Sequence, residues 1–313
     1  MYTVRMLKQG SRLSAILIAL FVVFLWATSW VFIKIGLHEI PALTFAGLRY
    51  TLAFICLIPV LLLGRGRFSL LRQLRRGWLR LFSLGFLLYT VTQGAIFLAL
   101  SFLPAVTVNL LWSFSTVTVA VFGILWLAER PTPFQWTGIA LATLGAVVYF
   151  YPVAFAEGQV LGIIVSVVGV VANAGAVILG RQVNRSADIH PLVVTGFSMG
   201  FGSIVLLVTG IFAQGLPSIA LRDWAIIAWL AVVNTALAFT LWNHTLRTLS
   251  AAESSIINGT MLIWIPILAV MFLGEGITAK EIVGLVAAGV GTLAVQLRYP
   301  SRLLGLFNIR ATG

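Results

Sequence analysis

The chain has 313 residues, of which 60% are hydrophobic and 9% are charged; its formal net charge is +12 and its mean hydropathy is +1.07. A soluble domain is about half apolar and about a quarter charged, so this composition excludes a water-soluble globular fold. The single cysteine, Cys56, excludes a disulfide framework and a Cys/His metal motif, and we expect no metal site and no cofactor.

Apolar runs of about 20 residues, the length of a helix that crosses a bilayer, occur ten times along the chain. The connecting segments are short, so any function must reside between the helices. The first run is a full bilayer span and does not resemble a cleaved signal peptide. The predicted spans are 14–35, 43–63, 78–100, 105–127, 134–151, 160–180, 192–213, 223–246, 252–273 and 281–297.

The basic residues give these spans a direction. When the N-terminus is placed in the cytoplasm, most of the 20 Lys and Arg residues flank the spans on the cytoplasmic side, as the positive-inside rule requires. We therefore expect a multi-pass protein of the cytoplasmic (inner) membrane with both termini in the cytoplasm. Because the basic residues form no basic face, we expect no nucleic-acid partner. The expected partners are a small-molecule substrate and the lipid bilayer, and the protein is a monomer or a homodimer.

An internal repeat relates the two halves of the chain. The register is an offset of 146 residues, the separation of Glu129 and Glu275, and it matches residues 127–145 to residues 273–291 without a gap. Other matched pairs are Leu127 and Leu273, Thr132 and Thr278, Gly138 and Gly284, and Gly145 and Gly291.

The repeated element predicts where the fifth span of each half begins. Thr132 is followed three residues later by Gln135, and Thr278 by Glu281, which is the capping-box pattern of a helix N-terminus. Within the spans that follow, glycine and alanine lie four residues apart, a spacing that lets another helix approach closely.

Five spans in each half is an odd number, so the two halves must cross the membrane in opposite directions. Inverted repeats of this kind are typical of alternating-access transporters. The sequence therefore predicts an all-α membrane protein of ten helices arranged as two inverted five-helix repeats. The predicted units are a first half at 1–152, a second half at 158–300, and a cytoplasmic tail at 301–313.

The doubled stretches Leu127–Gly145 and Leu273–Gly291 resemble the drug/metabolite transporter superfamily, in its ten-helix exporter branch with two EamA-type halves. The segment Leu25–Lys34 and the pair Leu48 and Arg49 extend this likeness over nearly the whole chain. The resemblance implies export of small organic solutes by alternating access through a central cavity.

The segment Val108–Trp112 is similar to the fourth helix of YddG-type amino-acid exporters, although Ser113 replaces their proline. This likeness implies amino acids, aromatic or otherwise neutral, or related metabolites as solutes. A lipid or lipid-linked-sugar flippase of the same superfamily, or a broad drug exporter, is the alternative, since each has the same fold. An enzyme is not expected, because His38, His190 and His244 are isolated near span ends with no acid beside them at depth.

Polar and aromatic side chains at bilayer depth are costly in lipid and therefore turn toward the interior of a helix bundle. Hydrogen bonding between helices is the alternative explanation for the amides and hydroxyls among them. The predicted substrate-binding residues are Trp26, Trp30, Tyr89, Gln93, Asn109 and Trp112 in the first half and Asn173, Asn234, Trp242 and Trp264 in the second.

Two cations, Lys34 and Arg49, are candidate contacts for a carboxylate or phosphate group of the solute. Alternatively, Lys34 extends toward the membrane surface, and Arg49 pairs with Glu39 or with helix-end carbonyls. All eight acidic residues lie at or near span ends, so no carboxylate is placed as a proton relay. This favours exchange or downhill export over a proton-driven pump.

Overall fold

The computed structural model describes residues 2–63, 77–127, 132–152, 158–185, 189, 191–245, 248–249 and 251–296. In these ranges the chain forms helices and no strands, and ten of the helices are long and apolar enough to cross a membrane. They are α1 (Tyr2–Gly36), α2 (Ala42–Leu63), α3 (Gly77–Phe102), α4 (Ala105–Ser113 and Ser115–Leu127), α5 (Pro133–Phe150), α6 (Gln159–Arg185), α7 (Pro191–Gln214), α8 (Leu221–Ala231, Val232–Leu237 and Ala238–Thr245), α9 (Ala251–Gly259, Met261–Leu268 and Ala269–Leu273) and α10 (Ala279–Gln296).

The predicted ten-helix membrane fold is therefore confirmed. Large apolar side chains on the outside of the bundle are strongly exposed, as lipid-facing residues are; Phe212 is an example at 88%. We call the membrane face where α1 begins and α10 ends the terminal face, and the other the opposite face. That the terminal face is cytoplasmic stays a prediction, and the predicted tail at 301–313 lies outside the described residues.

The two predicted capping boxes are present. The Thr132 hydroxyl accepts a hydrogen bond from the Gln135 backbone N–H at 3.2 Å, and the Gln135 side chain accepts one from the Thr132 N–H at 3.0 Å. At the start of α10 the Glu281 N–H donates to the Thr278 hydroxyl at 3.3 Å, and the Thr278 N–H donates to the Glu281 carboxylate at 2.7 Å. Each box supplies partners for backbone N–H groups that a helix N-terminus leaves free.

Helices α4 and α9 are both interrupted after nine residues, at positions that the repeat register matches. Phe114 has φ −67° and ψ −10°, and Thr260 has φ −64° and ψ −11°. Side-chain hydroxyl groups donate hydrogen bonds to backbone carbonyls beside each interruption: Ser113 donates to Leu110 O at 2.7 Å, and Thr260 donates to Ile257 O at 2.7 Å. The interruptions thus lose little backbone hydrogen bonding inside the membrane.

A second matched pair of irregularities is a π-helical turn in α3, at Phe86–Gln93, and another in α8, at Val232–Leu237. Again a hydroxyl of each helix donates to the carbonyl five residues before it, from Thr92 at 2.7 Å and from Thr235 at 2.8 Å. Single π-turns in otherwise regular helices are frequent at functional sites.

The packing of the helices follows the same repeat. Each of the two most extensive contacts joins a helix to its own counterpart: α5 to α10, and α2 to α7. In addition α1 packs on α8 and α9, while its counterpart α6 packs on α3 and α4. Exchanging every helix for its counterpart therefore reproduces these contacts, which is two-fold pseudosymmetry. With five spans in each half, such an axis relates halves that cross the membrane in opposite directions.

Small residues bring α5 and α10 into backbone contact. A Cβ atom added at Gly145 would lie 2.4 Å from the backbone nitrogen of Ala288, and one added at Gly291 would lie 2.3 Å from that of Ala142. The repeat makes the pair Gly138 and Gly291 equivalent to the pair Gly284 and Gly145. In both pairs, a Cβ atom added at either glycine would lie within 2.8 Å of the carbonyl oxygen of the other. The predicted close approach of a second helix is therefore present, and its partner is the other half's fifth helix.

We expect the Gly145→Ala substitution to force α5 and α10 apart, because its Cβ has no space. Overpacking of this kind costs about 1–3 kcal/mol, so the melting temperature of the protein in detergent should fall by several degrees. Gly276→Ala is the matched control, since its added Cβ meets no atom within 4 Å. Equal melting temperatures for the two variants would contradict the contact.

Candidate functional site

A cavity of about 190 Å³ lies between the interruptions of α4 and α9. Ser113 and Ser115 line it on either side of the α4 interruption, and Gly259 and Met261 on either side of the α9 interruption. Helices α1, α6 and α10 complete its walls. The remaining lining residues are Trp30, Asn109, Trp112, Thr116, Asn173, Asn258, Leu262, Thr292 and Gln296.

Four of the residues proposed from the sequence meet in this cavity: Trp30, Asn109, Trp112 and Asn173. The Trp112 indole lies against α6 at Gly169, where an added Cβ would come within 2.4 Å of the ring. Only a glycine leaves room for the indole at that position. The cavity therefore combines two broad aromatic faces with amides and hydroxyls, and none of its lining residues is charged.

The carboxamides of the cavity also join neighbouring helices. Asn109 donates through Nδ2 to Met261 O at 3.3 Å, which connects α4 to α9. Asn173 donates through Nδ2 to Ser115 Oγ, and Gln296 donates through Nε2 to Thr116 Oγ1 at 3.0 Å, which connects α6 and α10 to α4. The other amide atom of Gln296, Oε1, is buried and has no hydrogen-bond partner.

The sequence selection left out Gln296, Thr292 and Ser115, all of which line the cavity. Gln296 lies one residue before the end of the predicted span, where a polar residue is usually solvated. Thr292 lies four positions earlier and on the same helical face, so a polar stripe on α10 was the available signal.

Three predicted tryptophans lie elsewhere. Trp26 packs on Trp242 with ring centroids 5.1 Å apart, and Trp264 makes an edge-on contact with Phe24 at 5.3 Å. These rings fill the interface of α1 with α8 and α9. They do not line the cavity.

Tyr89, Gln93 and Asn234 lie at the paired π-turns, away from the cavity. Gln93 Oε1 accepts a hydrogen bond from the Tyr50 hydroxyl at 2.7 Å, and the Tyr50 and Tyr89 rings are 5.7 Å apart. Asn234 is fully buried, and its Nδ2 donates to Leu25 O. This second group of polar residues joins α1, α2, α3 and α8.

Arg49 belongs to the same group and is only 5% exposed. It donates through Nη1 to Ser29 Oγ at 2.8 Å and through Nε to Thr235 Oγ1 at 3.2 Å. Its guanidinium carbon lies 5.1 Å from the centre of the Tyr50 ring, a cation–π distance. In the described part of the chain it pairs neither with Glu39 nor with a helix-end carbonyl.

At the opposite face, a carboxylate joins the α9–α10 connection to α4. Glu275 accepts hydrogen bonds from the backbone N–H groups of Ala105 at 2.7 Å and Val106 at 3.1 Å, the first residues of α4. A carboxylate at a helix N-terminus is also favoured by the helix dipole. Lys34, half-buried at the end of α1, is attracted electrostatically to the same carboxylate. The repeat equivalent of Glu275, Glu129, lies outside the described residues.

A second cavity, of about 210 Å³, lies at the opposite face beside Lys280 and Glu281. On its wall the hydroxyls of Thr107 and Tyr149 are 2.9 Å apart and hydrogen-bonded. It contains neither helix interruption, and no predicted site residue lines it. No cluster of His, Cys, Asp and Glu that could hold a metal ion occurs in the described ranges. The cavity between the interruptions is therefore the candidate site.

Comparison with known proteins gives a family match in both halves of the chain. The model of the family described as "EamA-like transporter family" matches residues 13–151 and again residues 160–297. The uncharacterized transporter YoaV of Bacillus subtilis (strain 168) is 23% identical over 285 residues, which cover 86% of this chain and 92% of that protein. The protein PecM of Dickeya dadantii (strain 3937) is 26% identical, over 70% of this chain and 74% of its own length.

The uncharacterized inner membrane transporter YedA of Escherichia coli (strain K12) is 25% identical over 93% of this chain and 91% of its own length. A solved crystal structure matches 90% of this chain and 97% of its own chain with a TM-score of 0.63. At 19% sequence identity this last match shows the fold alone.

The cavity predicts a difference in cysteine reactivity. In a Cys56→Ser chain, Ser115→Cys should react within minutes with a small water-soluble thiol reagent, because residue 115 lines the cavity. Ala174→Cys should stay protected in the folded protein, since residue 174 is fully buried on α6. Labelling is measured by mass spectrometry before and after denaturation. Protection of both cysteines, or labelling of both, would contradict an accessible cavity at this position.

Proposed function

The chain belongs to the EamA-like transporter family, and on that premise we propose that it exports small neutral or zwitterionic organic solutes, amino acids among them, across the cytoplasmic membrane. The family match and the ten apolar helices identify a multi-pass membrane protein of a transporter family. The observation that supports the proposed class of solute is the uncharged cavity of aromatic and amide side chains between the two matched helix interruptions.

Interrupted helices are a recurrent way to build a solute site in transporters with inverted repeats. Here each interruption is a single residue, and residues on either side of it line the cavity. One interrupted helix belongs to each half, and the two helices begin at opposite faces of the membrane. If the halves exchange conformations, the same residues contact the solute in both states while access passes from one face to the other.

The lining residues support a solute with an apolar part and a few hydrogen-bonding groups. Trp30 and Trp112 present large faces to an apolar or aromatic group, and the amides orient the polar part. About 190 Å³ is below the usual range for drug-sized ligands, which favours a small solute. Highly charged solutes are disfavoured, because no lining side chain carries a compensating charge.

The absence of acidic lining residues bears on the energy source. Among the residues that the structure describes, no Asp or Glu lines the cavity, so this lining has no carboxylate that could exchange a proton for a solute. Exchange of solutes, or export down a solute gradient, fits this lining.

We expect Trp112→Ala to lower counterflow of labelled neutral amino acids in proteoliposomes by about tenfold or more, because an aromatic wall of the cavity is lost. Trp136→Ala is the matched control: this tryptophan on α5 is 54% exposed and should be dispensable for transport. Equal activity in both variants would remove Trp112 from the site.

The same vesicles test the energy source. Efflux from preloaded vesicles should persist when an uncoupler collapses the proton gradient, provided that a solute gradient remains. Abolition by the uncoupler would show obligatory proton coupling and would contradict the exchange mechanism.

Glu275 is proposed to keep the opposite face closed, because it joins the α9–α10 connection to the first residues of interrupted α4. In a Cys56→Ser, Ser113→Cys chain, Glu275→Ala should therefore raise the rate of labelling by an impermeant thiol reagent added at the opposite face several-fold. Glu281→Ala is the control, because the hydrogen bonds of Glu281 are to Thr278, at the start of its own helix at that face. Equal labelling rates in the two variants would contradict the closing role.

A further inference from the structure

In the carboxamides that line the cavity, the NH₂ group and the oxygen atom have different hydrogen-bonding surroundings. The NH₂ groups of Asn109, Asn173 and Gln296 each donate to a protein acceptor on another helix. Among the described residues no protein donor reaches the oxygen of any of the three amides. A carboxamide oxygen accepts up to two hydrogen bonds. One N–H of each amide is therefore used within the protein, and each amide oxygen can accept a hydrogen bond from an occupant of the cavity.

Gln296 is the most constrained of the three. Its Oε1 is buried and without a partner, while its Nε2 is held by Thr116. A buried acceptor without a donor is unfavourable, and most buried polar atoms in folded proteins are hydrogen-bonded to protein or to ordered water. The group thus points to an occupant that donates a hydrogen bond at this wall of the cavity.

The charges around the cavity favour a particular donor. Neither Arg49 nor Lys34 lines the cavity, and Arg49 donates to Ser29 and Thr235 at the π-turns. The cavity therefore offers no cation to an anionic group. An ammonium group has three donors and no acceptor, which suits a wall of carbonyl oxygens. The faces of Trp30 and Trp112 add cation–π attraction.

We propose that Gln296 Oε1 is the specificity-determining acceptor for a primary ammonium group of the solute, assisted by the oxygens of Asn109 and Asn173. This deepens the proposed function and rests on the same cavity. It distinguishes amine-bearing zwitterions from carboxylic acids of the same shape, which the aromatic walls by themselves do not distinguish.

The test compares solutes that differ in the amino group, by thermal shift of the purified protein in detergent. One pair is phenylalanine and 3-phenylpropanoate, and the other is leucine and 4-methylpentanoate. Ligand binding stabilises the folded protein by RT ln(1 + [L]/Kd), so the ratio of the two concentrations that give the same rise in melting temperature reports the relative affinity within a pair without requiring transport. The wild-type chain should prefer the amine-bearing member of a pair by about tenfold or more, the effect of a hydrogen bond to a charged group.

Gln296→Met keeps the length and shape of the side chain and removes the acceptor, so it should reduce that preference by at least about fivefold. Gln296→Glu keeps an acceptor and adds negative charge, so the preference for the amine-bearing solute should increase. Thr143→Val is the structural control, since Thr143 is exposed on α5 and donates to a carbonyl of its own helix. If Gln296→Met does not fold, Gln296→Glu and the wild type decide the matter.

A wild-type chain without amine preference would overturn the proposal. So would an unchanged preference in Gln296→Met, which is the result expected if an ordered water alone satisfies Oε1, or equal weakening of both members of a pair, which indicates packing only. An unchanged or lowered preference in a folded Gln296→Glu, when Gln296→Met does not fold, would do the same. Amine-selective binding in a protein that shows no counterflow would instead refute the proposed transport and leave the recognition by Gln296 standing.

Discussion

The structure depends on one constraint: inside a bilayer every backbone N–H and C=O must find its partner within the protein. Regular helices satisfy it automatically, so each departure from a regular helix needs a compensating group. In α3, α4, α8 and α9 the compensating groups are hydroxyls, from Thr92, Ser113, Thr235 and Thr260. Four of the departures form two matched pairs where the halves meet, while a further π-turn at Ala269–Leu273 in α9 has a regular α-helix as its counterpart in α4.

The two pairs of irregularities have different consequences. The interruptions of α4 and α9 border a cavity of about 190 Å³, whereas the π-turns of α3 and α8 lie at a closely packed group around Arg49. The guanidinium there is stabilised by hydroxyls and aromatic faces, without an acidic partner in the described ranges. The buried cation thus belongs to the π-turn group and does not line the cavity. This separation keeps the cavity neutral.

Much of the fold could be predicted because its signals are local. Apolar length predicts the spans, and the capping residues Thr132 and Thr278 predict helix starts whatever the tertiary contacts are. The site was less accessible, because rotation of each helix about its axis is set by packing. Trp26 and Trp30 are one turn apart, yet only Trp30 lines the cavity, and Trp112 fits there only because Gly169 on a distant helix leaves room. The position of Gln296 in the cavity could not be predicted, because it depends on how α10 packs against α4.

The contacts of α5 with α10 and of α2 with α7 join each helix to its own counterpart. Two identical five-helix chains inserted in opposite directions would make the same contacts across their dimer axis. The present chain thus has the organisation expected from duplication and fusion of a gene whose product paired with itself. After fusion, glycines such as Gly145 and Gly284 remain mutually dependent, so selection acts on them together. Substitutions in one half are then constrained by the other half of the same chain. Replacing one half with that of a distant relative would disrupt the close packing of α5 on α10.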